Sequence, residues 1–322
     1  MPSTPHTLPD FAAIEAAAAR IAPHAHATPV LRSRSLDALA DAELFFKCEN
    51  FQRAGAFKFR GACNAVWSLD DDTAARGVVT HSSGNHGAAL ALAAQTRGIA
   101  AHVVVPEGAV AAKLAAIEAS GATLHRCAPT IAAREAMAEA VRAQTGATLV
   151  HPYADARVIA GQGTAALELL RETGPLDAIV TPVGGGGLAG GSAIAAHGID
   201  ARIEIHGAEP EGAADAAQSL RGGVRVTELV PDTICDGLRG LLGAINFDLL
   251  REHRVRVATV PDSDTLAAMR LIWTRLKIVV EPSSAIALAA VLAQREHFAG
   301  GRIGIVLSGG NVDVERCFSG LP

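Results

Sequence analysis

The chain has 322 residues, 49% of them hydrophobic and 19% charged, a composition that fills a folded core and excludes a disordered chain. Its net charge of −5, with basic residues scattered along it, excludes a nucleic-acid footprint. The five cysteines, at positions 48, 63, 127, 235 and 317, include no CxxC pair, which excludes a disulfide framework or a cysteine zinc site and points to reduced thiols in a cytoplasmic protein. The N-terminus has no secretory signal pattern.

In chain order, short β-branched runs predict strands at 43–49, 77–82, 101–106, 122–127, 147–152, 177–183, 201–209, 255–260 and 302–308. Alanine-rich helical runs separate most of them. Gly98, Gly121, Gly146 and Gly174 fall just past helix ends, where a left-handed residue closes the last turn. Alternation of strand and helix predicts an α/β fold: open, mostly parallel sheets with helices on both faces, divided into two domains with a site in the cleft between them. The window from Ala178 to Ile199 carries no charged residue, but seven glycines and a proline break it, so it is not a membrane span.

After the first strand, "ENFQRAGAFKFRGACNAV" (49–66) places Lys58 between Phe57 and Phe59 at the start of a helical pattern. Taken alone, such a lysine is a surface residue. An amine among apolar groups is also desolvated, which lowers its pKa and makes it a base or nucleophile. After 77–82 comes "SGNHG", where Ser82, Ser83, Asn85 and His86 sit at a strand-to-helix turn suited either to a plain N-cap or to holding a carboxylate. After 177–183 comes "GGGG" entering a helix, a backbone donor set that suits phosphate. The same stretch satisfies GxGxxG through Gly185, Gly187 and Gly190, with Glu204 at about the distance a dinucleotide site requires but inside a strand. Residues 262–277 form a capped amphipathic helix carrying Trp273, and Ser308 ends the last strand before two glycines. His151, His206 and His253 are single, without metal spacing, and Cys48 and Cys63 are packing residues.

Taken together, "FKFRGA", "SSGNHG", "GQGT", "GGGG", "EPSS" and "LSGGNVD", in this order from about Thr28 to Asp313, resemble the pyridoxal-phosphate enzymes of the tryptophan-synthase-β fold, within them the serine/threonine dehydratases and serine racemases. The resemblance implies a fold type II arrangement: residues 1–52 and 148–322 form a large cofactor-binding domain, and 53–147 form a small mobile domain with the substrate carboxylate loop. It makes Lys58 the covalent anchor of the cofactor and the base, and Ser83 the acid/base on the opposite face. Gly184, Gly185, Gly186, Gly187 and Leu188 become the phosphate cup. Phe57 packs on the ring, Asn85 reaches its phenolic oxygen and Ser308 its pyridine nitrogen. Ser82, Ser83, Asn85 and His86 hold the substrate carboxylate, and Arg134 is placed to meet a second one, with Arg239 another candidate. Glu209, Asp215 and the carbonyl of Ala213 match a segment binding Mg²⁺, Ca²⁺ or Mn²⁺; without the resemblance they are two solvated acids.

The implied activity is an ammonia-lyase converting L-threonine or L-serine to a 2-oxo acid, in a homodimer acting on a free amino acid, with no nucleic-acid or membrane partner. Serine racemase and 3-hydroxyaspartate dehydratase are the alternatives. A nicotinamide-dependent oxidoreductase using GxGxxG, and a non-catalytic ligand sensor, are rivals of other classes. The chain departs from the family's pattern at Ala54, which puts nucleotide activation in doubt, and at Gly240 and Tyr153, which alter the pocket. The short stretch after Asp313 leaves no room for a regulatory domain.

Overall fold

A computed structural model describes residues 8–313, the side chain of Ala112 excepted; Cys317 lies outside them. Its strands, in chain order, are β1 (Val30–Leu31), β2 (Glu43–Cys48), β3 (Val78–His81), β4 (Ala101–Pro106), β5 (Thr123–Cys127), β6 (Thr148–Leu149), β7 (Ala178–Pro182), β8 (Glu204–Pro210), β9 (Arg256–Val260) and β10 (Arg302–Leu307). They form a six-stranded sheet ordered β1-β2-β10-β7-β8-β9 and a four-stranded sheet ordered β5-β4-β3-β6. Every pairing is parallel except that of β1 with β2. The expected α/β class and the nine expected strands are present. β1 escaped the sequence reading because two residues carry no periodicity. Among the described residues no helix is long and apolar enough to cross a membrane.

The large sheet is buried on both faces because its strands alternate two apolar sets. Phe45 and Val306 pack into one cluster with Ile159, Leu169 and Ile194. Leu44, Phe46, Ile303, Ile305 and Leu307 point the other way, against Ile286 and Leu288. The small sheet is covered likewise, by Ala89, Leu90 and Ala93 on one side and Ala138 and Val141 on the other.

The strand expected at 147–152 is cut to two residues, which pair with β3. The chain then leaves the sheet and carries His151, Pro152 and Tyr153 to the carboxyl ends of the strands. β6 therefore belongs with the small sheet.

Two further features set the position of Lys58. The helix Lys58–Trp67 crosses the helix Ala156–Thr173 backbone to backbone, and the glycines of "GQGT" are the reason. A Cβ on Gly161 would stand 2.6 Å from the Arg60 carbonyl and from the Gly61 Cα; one on Gly163 would stand 2.6 Å from the Gly191 carbonyl in the next helix. Below Lys58 lies a buried ionic cluster. Arg60, wholly buried, donates to Glu49 at 2.7 and 2.9 Å and to Glu168 at 2.7 Å. Lys47, also buried, donates to Glu168 at 2.7 Å and to the Thr28 carbonyl at 2.7 Å.

Candidate active site

In open parallel sheets ligands meet the carboxyl ends of the strands, and here the segments leaving β2, β3, β6, β7 and β10 converge. Lys58 opens its helix, is half-buried, and donates from Nζ to the Pro152 carbonyl at 3.0 Å. Its ammonium lies 5.0 Å from the centroid of the Phe57 ring. Burial pushes its pKa down to about 8. Phe57 is tied through its N–H to the Ser308 carbonyl at 2.9 Å, so the buried Ser308 at the end of β10 sits beside the lysine segment.

Tyr153, next after Pro152, links Lys58 to the glycine loop. Its ring covers the Cα of Gly185, where any Cβ would collide with it. Gly186 has φ +88° and presses on Leu242 and Asn246, a position closed to larger residues by conformation and space alike. Asn246 donates to the Gly185 and Tyr153 carbonyls and fixes the loop from behind. Among the described residues, the N–H groups of Gly184, Gly185, Gly186, Gly187 and Leu188 have no acceptor. Five consecutive unclaimed donors at the start of the helix Gly187–Ile199 fit a phosphate group.

The loop after β3 faces the same region. Ser82 Oγ accepts from the Gly84 N–H at 3.4 Å, and the Ser82 carbonyl lies against Gly87, which explains that glycine. Ser83 makes no hydrogen bond among the described residues. His86 is buried with its Nε2 3.4 Å from the Val150 carbonyl and its Nδ1 without a partner. Burial above all, and then the Lys58 charge, keep it neutral. Asn85 donates to Glu281 at 3.0 Å and accepts from Asn311 at 3.0 Å.

Sequence reasoning missed Glu281. It is nearly fully buried, and that burial, with Asp236 adding, raises its pKa to about 7. It accepts from the Asn311 N–H at 3.1 Å and from Asn85, and so holds the β3 loop and the segment after β10 together. Its place inside "EPSS" was the available signal. His81, His151 and Tyr153 were missed as a group too. The His151 ring stands edge-on to His81 at 5.0 Å and to Tyr153 at 4.6 Å, and burial first, then His81, lowers its pKa to about 3.

The two arginines part company. Arg239 is exposed and donates to the Thr233 carbonyl at 2.6 Å, which fixes its own loop and removes it from the site. Arg134, half-buried in the helix Ile131–Thr145, forms no ion pair among the described residues. Burial lowers the His81 pKa, Glu135 opposes and Arg134 adds; burial raises that of Tyr153, Glu135 adds and Arg134 opposes. Arg134 and Glu135 thus both act on the two rings, with opposite signs and Glu135 the stronger.

Glu209 lies near the carboxyl end of β8, and Asp215 opens the helix Asp215–Gly222 that follows it. Glu209 is fully buried and accepts from the N–H groups of Ala216 and Ala217 at 2.9 Å each; Asp215 accepts from the Leu242 N–H at 2.7 Å. Burial raises both, Glu209 to about 8. No lysine or arginine bonds either carboxylate among the described residues, and Ala213 is buried beside them. Two buried acids with no lysine or arginine bonded to them among the described residues are not solvated surface acids, and the all-oxygen set suits a hard divalent cation. Glu204 opens β8, at the opposite end from the glycine loop. The dinucleotide reading needed an acid at the carboxyl end of its strand, so it fails on geometry.

A family model described as pyridoxal-phosphate dependent enzyme matches residues 21–309. The chain is 49% identical to a serine racemase of Arabidopsis thaliana over 310 residues, covering 95% of this chain and 94% of that protein. It is 45% identical to a β-hydroxyaspartate dehydratase of Paracoccus denitrificans over 309 residues, covering 96% and 98%. The solved structure of maize serine racemase superposes with a TM-score of 0.94 at 45% identity, covering 97% of this chain and 96% of that one.

Proposed function

This chain belongs to the pyridoxal-phosphate dependent enzymes, and we propose that within them it is an ammonia-lyase eliminating the β-hydroxyl of a hydroxy amino acid that carries a second carboxylate, a 3-hydroxyaspartate. The observation that carries the substrate choice is Arg134, a half-buried arginine that forms no ion pair among the described residues and stands close enough to His81 and Tyr153 to act on both, as its neighbour Glu135 does with the opposite sign. A β-hydroxyaspartate dehydratase and an L-threo-3-hydroxyaspartate ammonia-lyase stand among the relatives. Racemisation at the same site is the second reading, favoured by the 49% identity to a serine racemase.

Bound pyridoxal phosphate supplies the electron sink that makes the α-proton of an amino acid acidic. The N–H groups of the glycine loop would hold its phosphate, Phe57 its ring face, Asn85 its phenolic oxygen and Ser308 its pyridine nitrogen. A serine hydroxyl does not protonate that nitrogen fully, which suits rapid elimination. Ser82, Ser83, Asn85 and His86 would orient the substrate carboxylate. Lys58 would anchor the cofactor and, once freed, take the α-proton, its ammonium already disfavoured by burial. Ser83 delivers or accepts a proton on the other face, and its participation before the hydroxyl leaves inverts the α-carbon. The four-stranded sheet and its helices act as the smaller domain, which closes on the substrate. Two such chains form a homodimer.

The test is 2-oxo acid release by the holoenzyme from a panel of L- and D-serine, L-threonine and the threo and erythro 3-hydroxyaspartates. A 3-hydroxyaspartate should give the highest kcat/KM. Arg134→Gln should lower that value by about 30- to 100-fold, the worth of roughly 2–3 kcal/mol for a charge-assisted hydrogen bond, and leave serine turnover unchanged. Equal loss on serine would make Arg134 structural. Preference for serine or threonine would overturn the substrate assignment.

We also propose that Glu209, Asp215 and the Ala213 carbonyl hold Mg²⁺, Ca²⁺ or Mn²⁺. Addition of Mg²⁺ should raise the melting temperature of wild type but not of Glu209→Gln, since the cation compensates two carboxylates that burial otherwise penalises. An equal rise in both would remove the site from Glu209.

A further inference from the structure

His206, one of the histidines that sequence spacing marked as single, has two partners in space. It lies two residues after Glu204 on β8, so the two share a face of the strand. His297 comes from the short helix Arg295–Phe298, which packs against that strand end. The His206 Nε2 is 2.9 Å and the His297 Nε2 3.0 Å from the same Glu204 oxygen, Oε2. The three ligand-type atoms lie within 4.8 Å of one another. The rings are held in place: His206 and His297 are 5.0 Å apart, and each meets Phe298 edge-on at 4.9 Å. His206 is buried, while Glu204 and His297 are reachable from solvent.

We propose that Glu204, His206 and His297 form a binding site for a borderline divalent cation, Zn²⁺ above all. Tetrahedral zinc with bonds of about 2.0–2.2 Å spaces its ligand atoms roughly 3.3 Å apart. The two nitrogen-to-oxygen spacings, 2.9 and 3.0 Å, need to open by only a few tenths of an ångström, and the two imidazole nitrogens, within 4.8 Å of each other, settle to that spacing by turning the exposed His297. Two imidazoles and one carboxylate suit Zn²⁺ or Ni²⁺ and do not suit Mg²⁺ or Ca²⁺, which prefer oxygen throughout. Each neutral imidazole binds through Nε2 once its proton sits on Nδ1, so no proton is lost. Three protein ligands leave one position for water.

Arg256 is the opposing feature. It pairs in register with His206 and donates to Glu204 Oε2 at 3.0 Å. Its charge weakens cation binding and it must yield that oxygen to the metal. The site begins β8, whereas the glycine loop and Ser308 follow the carboxyl ends of β7 and β10. A bound metal therefore does not enter the reaction. It clips β8 to the helix that precedes β10, and the inference stands apart from the proposed activity.

The test uses untagged, full-length holoenzyme stripped with a chelator and kept in excess Mg²⁺, titrated with ZnCl₂ by calorimetry and followed by thermal unfolding. Wild type should bind one Zn²⁺ that His297→Ala binds about 100-fold more weakly or not at all, since a ligand is worth at least what an outer-shell partner is. The melting temperature should rise with Zn²⁺ in wild type and stay fixed in His297→Ala and Glu204→Gln. Arg256→Gln should bind Zn²⁺ more tightly. Equal zinc binding by wild type and His297→Ala, no binding by wild type, or weaker binding by Arg256→Gln would each overturn the proposal.

Discussion

Lys58→Met should release no 2-oxo acid from any substrate on the panel above about one-thousandth of the wild-type rate, the scale of a lost general base, before the loss of the cofactor's anchor is counted. The same change should make the cofactor-free protein more stable. Lys58 titrates at about 8 in the fold against an ordinary 10.5, because burial disfavours the ammonium. A depressed lysine penalises the folded state in full below the folded value, where both states are protonated. The penalty fades as pH rises from about 8 and is gone above the unfolded value. At pH 7 it amounts to about 2–3 kcal/mol, allowing for partial exposure. Urea unfolding should therefore show Lys58→Met more stable than wild type at pH 7, with the gap shrunk to about a quarter of that at pH 10. A variant no more stable at pH 7, or a gap undiminished at pH 10, would mean that burial does not strain the amine. Methionine is the right replacement because it keeps the volume of the lysine stem.

This coupling of activity to local instability bears on what the sequence could reveal. Lys58 stood out because two phenylalanines flank it, although its expected role came from the family resemblance, and the glycine loop stood out because no plain turn needs four glycines in a row. The alternation of β-branched and alanine-rich runs carried the sheet class, since a strand buried on both faces reads as a continuous apolar run. Glu281 stayed hidden because a glutamate before a proline at a helix start reads as an ordinary cap. His206 and His297 stayed hidden because 91 positions separate them and only the fold brings β8 to the last helix. The shortened β6 was invisible for another reason: the residues after Leu149 keep an apolar pattern while they serve the site rather than the sheet. Arg134 was expected from the family resemblance and Arg239 only from its place in a loop; each donates to a backbone carbonyl, and their burial separates them, Arg134 half-buried and Arg239 exposed.

The largest stability effect is expected at Arg60, two residues after Lys58 and on a different face of the same helix. Its guanidinium serves Glu49, which is wholly buried, and Glu168, which is about one-third exposed. Arg60→Met leaves a buried carboxylate whose remaining side-chain donor is the Thr28 hydroxyl at 2.5 Å. The expected cost is about 3–5 kcal/mol, against a total stability on the order of 5–15 kcal/mol. The cost belongs to the orphaned charge and not to the missing bridge, which a second variant can show. Arg60→Met with Glu49→Leu removes the charge together with its partner, leaves Glu168 to Lys47, and should recover most of the loss. Urea midpoints of wild type, single and double variants measure this directly. If the double variant is no more stable than Arg60→Met, packing of the guanidinium stem is the larger contribution. If Arg60→Met alone costs under about 1 kcal/mol, the network is not what holds the Lys58 helix to the sheet.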